Sequence, residues 1–277
     1  MKRLRISAIS YLNTAPLMWD FEQGQAGSAF DISYTIPSQC AASLAEETAD
    51  IGIIPAAAYC SIPGLVILPG VAIASRKPVR SILLVSKVPL GEIRTVALDT
   101  SSMTSVALTK VLFAKWWGGG RTFAAMGPDV EQMLRRYDAG LVIGDPALQI
   151  DRSRYITYDL AEEWLRQTGK PFVFAFWAVR RAALEGASAA DLAAIFQDSR
   201  DHGLQPENLR QIAEMWAPRL RLTEDQVKSY LTESIYYNLD PACLEGLGLF
   251  YRCAEECGAL PRAPALQFLD VAQTAAI

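Results

Sequence analysis

The feature that most constrains this chain is an alternation. From residue 3 to about residue 180, short apolar runs trade places with helix-type segments, and most of the apolar runs end on a small polar cluster. Leu4, Ile6, Ala8 and Ile9 mark a first strand, and Asn13-Thr14-Ala15-Pro16 then reads as a helix start, a polar cap with proline in the first turn. Ile32, Tyr34 and Ile36 mark a second strand. Pro37-Ser38 opens a helix to about Thr48 with Ser38 as its cap, and a short buried strand follows at Ile51 to Pro55. This β-α-β-α-β opening predicts a parallel sheet with helices on its faces.

Further strand-like runs lie at Leu65 to Ala74, Ser81 to Ser86, Thr95 to Leu98, Gly140 to Gly144 and Phe172 to Val179. Between them, Asp99 to Ser105 leads into a helix that stops at Gly118-Gly119-Gly120, Asp129-x-x-Gln132 resembles a capping box, and Leu160 to Gln167 is a short helix. After Ala187 helices take over. Leu192, Ile195 and Phe196 share a face, as do Leu209, Ile212, Ala213 and Trp216. Thr223-x-x-Gln226 is a capping box ahead of the stripe Val227, Tyr230, Leu231 and Ile235, and the last helix, Ala242 to Cys257, is expected to break or weaken at Gly246 and Gly248.

The architecture these elements imply is α/β in two lobes with a ligand cleft between them and a helical C-terminal segment packed back on the first. At a soft prior of about 150 residues per domain, 277 residues suit two units. The expected division is 1–88 plus 178–277 for a discontinuous first lobe and 89–177 for the second, with crossings at Ser86 to Glu92 and Ala175 to Arg180.

Polar residues gather where strands end and helices begin: Ser10, Tyr11 and Asn13; Ser38; Ser101, Ser102, Thr104 and Ser105; Gly144 and Asp145. In open α/β sheets the ligand crevice lies at those carboxyl ends. Backbone N–H groups at helix starts favour anions there. The set predicts a cleft for a small anionic molecule, although each residue taken singly is equally a helix cap. Ser81 reads either as an edge serine or as part of the site. Arg76, Lys77 and Arg80 read as a solvated loop in preference to a carboxylate contact, and Trp164, Phe172, Phe174, Phe176 and Trp177 as core and hinge packing.

Several function classes drop out. Apolar residues at 51% and a net charge of −4 are incompatible with a disordered chain, and the 26 basic residues form no stripe for nucleic acid. No run reaches the ~20 apolar residues of a membrane helix. Met1-Lys2-Arg3 resembles the start of a leader, but Ser7 and Ser10 interrupt the apolar run that should follow, so no secretory leader is expected. Five cysteines (40, 60, 243, 253 and 257), odd in number and irregular in spacing, suit packing in a reducing cytoplasm better than a disulfide framework; Cys253 and Cys257 are read as packing residues, and no metal site is expected. With His202 the only histidine, a Ser-His-Asp or Cys-His site is unsupported, and no Walker loop, G-x-G-x-x-G or His-Glu-x-x-His is present.

One resemblance is specific. Arg5-Ile-x-x-Ile-Ser-Tyr11-Leu12-Asn13-Thr-x-Pro16 resembles the opening of chorismate dehydratases, the enzymes that begin the futalosine route to menaquinone. The likeness continues through Pro37-Ser38, Asp50-x-Gly52-x-Ile54-Pro55, Pro78-Val79-x-Ser81, Leu98-Asp99-x-Ser-Ser-x-Thr104-Ser105, Leu141-Val-Ile-Gly-Asp145-x-Ala-Leu148, Asp159-Leu160-Ala-x-x-Trp164 and Pro171-Phe-Val-Phe-Ala-x-Trp177. It implies a periplasmic-binding-protein type II-like fold reused as a cytoplasmic lyase that removes water from chorismate, giving 3-[(1-carboxyvinyl)oxy]benzoate, without metal or organic cofactor. It places Asn13 and Ser81 at catalytic or orienting positions, and Ser10, Tyr11, Ser38, Ile54, Ser102, Thr104, Ser105, Gly144 and Asp145 around the substrate. Met103 stands where a basic residue is expected, so Arg76, Arg80 or backbone N–H groups must hold the second carboxylate. Whether the chain is a monomer or a homodimer is left open. Two rivals remain: a 1,4-dihydroxy-6-naphthoate synthase-like enzyme of the same pathway, which uses a histidine, and a solute-binding protein for a small carboxylate, which would need export.

Overall fold

The computed structural model describes residues 3–184 and 189–270. Met1 and Lys2, the expected start of the helical segment at Ala187, and residues 271–277 of the expected first lobe lie outside them. Two five-stranded sheets form the frame. The first is built from β1 (Leu4–Ile9), β2 (Phe30–Thr35), β3 (Ile51–Pro55), β4 (Leu65–Ser75) and a late strand, Phe172–Arg180, described below as β10. Its order is β2-β1-β3-β10-β4. The expected parallel opening is present, since β1 pairs parallel with β2 and β3. The sheet as a whole is mixed, because β10 runs antiparallel to both β3 and β4. β3 is buried throughout, as a strand covered on both faces must be.

The second sheet holds β5 (Ile82–Ser86), β6 (Thr95–Asp99), β7 (Thr122–Met126), β8 (Ala139–Ile143) and β9 (Ile156–Asp159), in the order β7-β6-β8-β5-β9. The expected crossings are displaced. β5 pairs with β8 and β9, so the chain changes sheet between Ser75 and Ile82, not at Ser86 to Glu92. β10 belongs to the first sheet, so the return precedes Phe172 and is not at Ala175 to Arg180. The physical reason is that strand pairing is non-local. An apolar run carries no mark of which sheet it joins.

Helices cover the sheets: α1 (Trp19–Glu22), α2 (Pro37–Ala45), α3 (Thr104–Lys115), α4 (Val130–Arg136), α5 (Gly144–Leu148), α6 (Leu160–Thr168), and, in the C-terminal segment, α7 (Ala189–Gly203), α8 (Pro206–Leu220), α9 (Glu224–Ser229) and α10 (Pro241–Glu256). Two starts differ from expectation. Asn13 does not cap a helix. Residues Leu12–Met18 form a 3-10 turn that starts on Tyr11, whose carbonyl accepts the Thr14 N–H at 3.0 Å, and Pro16 has no N–H with which to extend an α-helical ladder. Ser38 does not cap α2, because Pro37 takes the first helical position and moves the cap to Ile36. Asp129 caps α4 by accepting the Gln132 N–H, but Gln132 returns its amide to the Asp129 side chain and not to the backbone. The Thr223-Gln226 capping box is complete. α10 runs unbroken through Gly246 and Gly248; a Cβ on Gly246 would lie 2.1 Å from the Pro171 carbonyl oxygen, so glycine there serves close packing and does not weaken the helix.

One apolar core runs across both sheets, from Ile6 and Ile53 to Ile82 and Leu141, and takes in Phe196, Tyr230 and Phe250 from the C-terminal helices. Hydrogen bonds also cross between the sheets. Leu12 N–H donates to Asp145 at 2.9 Å, Ser38 N–H to Ser101 O at 3.0 Å, and Ala57 N–H to Thr104 Oγ1 at 3.1 Å. Each is worth about 0.5–1.5 kcal/mol net. Together with the shared core they hold the two sheets closed on each other.

Candidate active site

The cleft lies where the expected strand ends meet. Its lining is Ile9, Tyr11, Asn13, Pro37, Pro55, Ile73, Ser81, Ile82, Ser102, Thr104, Ser105, Ile143, Gly144, Phe174 and Ala175, around about 460 Å³ of space with the mouth included. Among the described residues, the lining contains no His, Lys, Arg, Asp or Glu.

Ser81 sits at the first crossing between sheets and is 1% exposed. Two contacts and the turn before it fix it. Its carbonyl accepts the Gly144 N–H at 2.8 Å, and its Oγ accepts the Tyr230 hydroxyl at 2.8 Å. Arg80 before it is left-handed (φ 67°), a costly state for a residue with a Cβ. Asp159 holds that turn by accepting the Val79 and Arg80 N–H groups at 3.1 and 2.6 Å. Asn13 lies in the Leu12–Met18 turn. Its carbonyl accepts the Tyr237 hydroxyl at 3.0 Å and its Oδ1 the Thr14 hydroxyl at 3.3 Å.

Tyr11 packs its ring on Gly144. A Cβ there would lie 2.5 Å from two ring carbons, and φ is +64°, so both space and backbone demand glycine. The Tyr11 hydroxyl donates a long 3.5 Å bond to Ser101, and burial raises the phenol above its ordinary pKa. Buried Asp99 shapes the loop before α3 by accepting Ser101 N–H and Oγ–H at 2.8 and 2.6 Å and Ile143 N–H at 3.2 Å; burial raises its carboxyl. Ser102 Oγ accepts the Ser105 N–H at 3.3 Å. The Thr104 hydroxyl donates to Phe174 O at 3.0 Å while accepting from Ala57, so its one proton is committed to joining the sheets.

Four expected residues are not in the lining. Ser10 is exposed and turns its hydroxyl to Thr35 O at 3.3 Å, beyond Tyr11. Ser38 uses its backbone to reach Ser101, and Pro37 lines the cleft in its place. Ile54 is fully buried within β3, and Pro55, the next residue and therefore on the other face of the strand, lines the cleft. Asp145 aims its carboxylate at the Leu12 N–H; burial pushes it up to about 6, an effect the Leu12 bond opposes.

The expectation that the five aromatics pack in the core holds: Trp164, Phe172, Phe176 and Trp177 are each 1% exposed or less, and Phe174 is 6% exposed. Phe174 also borders the cleft. The pairing of β10 with β4 slips a residue between Val173 and Ala175, and Phe174 at that irregularity lines the cleft. Neither candidate arginine lines it. Arg76 pairs with Asp240 and lies 4.0 Å over the Tyr236 ring, and Arg80 donates to Ser229 at 3.2 Å. His202 pairs with Asp20 at 2.7 Å and is also outside the lining. The sequence reading missed Tyr230 and Tyr237 as site-supporting residues; Tyr230 entered only as one apolar position of a helical stripe.

Comparison with known proteins gives three results. The family described by menaquinone biosynthesis matches residues 4–256. A chorismate dehydratase of Thermus thermophilus is 30% identical over 272 residues, covering 92% of this chain and 94% of that protein. Among solved structures, an Archaeoglobus fulgidus protein superposes with a TM-score of 0.75 at 17% identity, over 93% of this chain and 98% of its own. The periplasmic aliphatic sulphonate binding protein of Escherichia coli superposes at 0.64 and 16% identity, over 98% and 94%. The likeness to these two structures is one of fold: the periplasmic-binding-protein arrangement.

Proposed function

The chain belongs to the menaquinone-biosynthesis family, and from that premise we propose that it is a chorismate dehydratase, a hydro-lyase giving 3-[(1-carboxyvinyl)oxy]benzoate and water. The observation that carries this reading is the cleft itself, where Asn13 from the first strand end and Ser81 from the crossing line one pocket with Ser102, Thr104 and Ser105.

Chorismate carries two carboxylates, and the cleft offers no cationic side chain to meet them. The helix starts at Pro37 and Thr104 bring the positive ends of helix dipoles to the cleft, which favour anions by ~0.3–1 kcal/mol when exposed and up to ~2 when partly buried, while the Ser38 and Ser105 N–H groups are engaged by Ser101 O and Ser102 Oγ. With Arg76 and Arg80 engaged elsewhere and Met103 in the loop, this backbone route is the one we favour.

The reaction removes a ring hydrogen and the neighbouring ring hydroxyl. The C–H bond breaks, its electron pair forms the new ring double bond as the C–O bond breaks, and the ring becomes aromatic. The product's stability makes the step strongly downhill, so the protein must mainly orient the substrate, exclude water and guide one proton. The lining holds no side-chain base of the His, Asp or Glu type. We assign the base to the substrate's own enolpyruvyl carboxylate. That carboxylate takes the ring proton and hands it to the departing hydroxyl, which leaves as water and returns the carboxylate to its charged form, while Asn13 holds the geometry and Ser81 donates a hydrogen bond to the departing oxygen.

Ultraviolet absorbance after adding chorismate tests the reading: the cyclohexadiene spectrum must give way to that of a benzoate. Asn13→Ala is expected to lower turnover at least tenfold, and full turnover in that variant would remove Asn13 from the mechanism. The naphthoate-synthase rival lacks its histidine, since His202 pairs with Asp20 outside the cleft.

A further inference from the structure

The C-terminal helical segment lies in no strand of either sheet, yet two of its tyrosines reach the two residues assigned to the chemistry. Tyr230, 1% exposed, donates its hydroxyl to Ser81 Oγ at 2.8 Å. Tyr237, 3% exposed, donates its hydroxyl to the Asn13 carbonyl at 3.0 Å. Neither ring lines the cleft; both stand behind it.

The direction of the Tyr230 bond matters. A serine hydroxyl has one proton and two lone pairs. With a lone pair occupied by the Tyr230 O–H, the Ser81 proton is released to point elsewhere, and the remaining side of Ser81 faces the cleft. Burial keeps Tyr230 protonated by raising its phenol well above the ordinary value; the side chains of Ser81 and Asn13 and the charge of Arg80 oppose that rise and Asp145 adds to it. A donor bonded to a donor also polarises it, because each hydrogen bond in a chain strengthens the next.

The placement of Tyr230 is built at some cost. Tyr230–Ser234 is a π-helical turn, a form rare enough that single turns of it concentrate at functional sites. Ser75 Oγ donates to the Ser234 carbonyl at 3.0 Å, tying that turn to the end of β4. On the other side of the Tyr230–Ser81 bond, Arg80 is held left-handed by Asp159, its carbonyl accepts Arg152 Nη2 at 2.9 Å, and its guanidinium reaches Ser229. Tyr237 is placed by backbone pairing: Ala72 N–H donates to its carbonyl at 3.0 Å, and Tyr236 beside it exchanges two bonds with Ala74. Unusual backbone therefore stands on both sides of one buried hydrogen bond.

We propose that Tyr230 is a positioning residue for the dehydration, holding the Ser81 hydroxyl as a donor into the cleft, and that Tyr237 steadies the Asn13 backbone in parallel. The inference rests on the chorismate reading above. Its test is kcat and KM for chorismate in the wild type, Tyr230→Phe, Ser81→Ala and the double variant. Y230F is expected to lower kcat about tenfold, the worth of one hydrogen bond expressed in the transition state, with KM within about twofold. In the S81A background Y230F is expected to have a clearly smaller effect, since the 2.8 Å bond to Ser81 is its main route and the Asn13 side chain the lesser one. A packing role would lower kcat equally in both backgrounds and overturn the proposal, as would wild-type kcat in Y230F. Should Y230F fail to fold, a ring-fluorinated tyrosine at 230, close to tyrosine in shape but a stronger donor, must raise kcat; an unchanged kcat would overturn the proposal. A wild-type protein that leaves chorismate unchanged would sink the proposed function and this inference together, whereas an active wild type with an indifferent Y230F sinks only the inference.

Discussion

Asp145→Asn isolates one electrostatic link between the two sheets. The Asp145 carboxylate accepts the Leu12 N–H at 2.9 Å from a half-buried position, and burial raises it from 3.8 to about 6. A carboxyl whose folded pKa lies above its unfolded one binds its proton more tightly when folded. Its contribution to stability is therefore fully present below about pH 4 and is lost as pH rises through about 6. At about 1.4 kcal/mol per pKa unit the ceiling is ~3 kcal/mol, and partial solvent access reduces it to about 1–2 kcal/mol. Asn keeps an oxygen to accept the Leu12 N–H but carries no charge. D145N is thus expected to match the wild type near pH 4 and to exceed it at pH 8 by ~1–2 kcal/mol, roughly 2–6 °C in melting temperature for a chain of this size. Thermal melts of both proteins from pH 4 to 8 provide the assay. A D145N protein less stable than wild type at pH 8, or a difference that does not change with pH, would refute the reasoning.

Two other substitutions test the cleft's construction. Gly144→Ala places a Cβ 2.5 Å from the Tyr11 ring at φ +64°, so it is expected to cost ~1–3 kcal/mol and, by displacing Tyr11, to raise KM for chorismate; denaturant melts and steady-state kinetics read both effects. Asp159→Ala strips acceptors from the Val79, Arg80, Ala161 and Glu162 N–H groups, and is expected to cost ~2–4 kcal/mol and to lower kcat by releasing the Arg80 turn that aims Ser81; urea unfolding and turnover measured on the same preparation check both.

What could be read from the sequence was local. The strand at Leu4–Ile9, the buried run Ile51–Pro55 and the Thr223 capping box each follow from a few adjacent residues, and all are present. Tyr11 and Asn13 follow the carboxyl end of β1, Ser102, Thr104 and Ser105 that of β6 and Gly144 that of β8, and these ends meet at one cleft, which Ser81 joins because it opens β5, antiparallel to β8. What escaped was long-range or geometric. β7 and β9 are short edge strands with mixed exposure, so no clean alternation announces them. The partners of β5 and β10 depend on residues far away in the chain. Phe174 reaches the cleft through an irregularity in strand register, Pro55 displaces Ile54 through the period of the strand, and Tyr230 meets Ser81 across 149 residues. Each of these outcomes is set by tertiary packing, which a helical stripe or a cap motif does not encode.

The measurement that bears most directly on the account is the mass of the small molecule recovered after purified protein is incubated with chorismate. We predict a product lighter than chorismate by one water, formed catalytically, with the enolpyruvyl group retained and its formation suppressed in Ser81→Ala. Chorismate recovered intact, bound or free, would contradict the account and return the chain to the solute-binding role that its fold also serves.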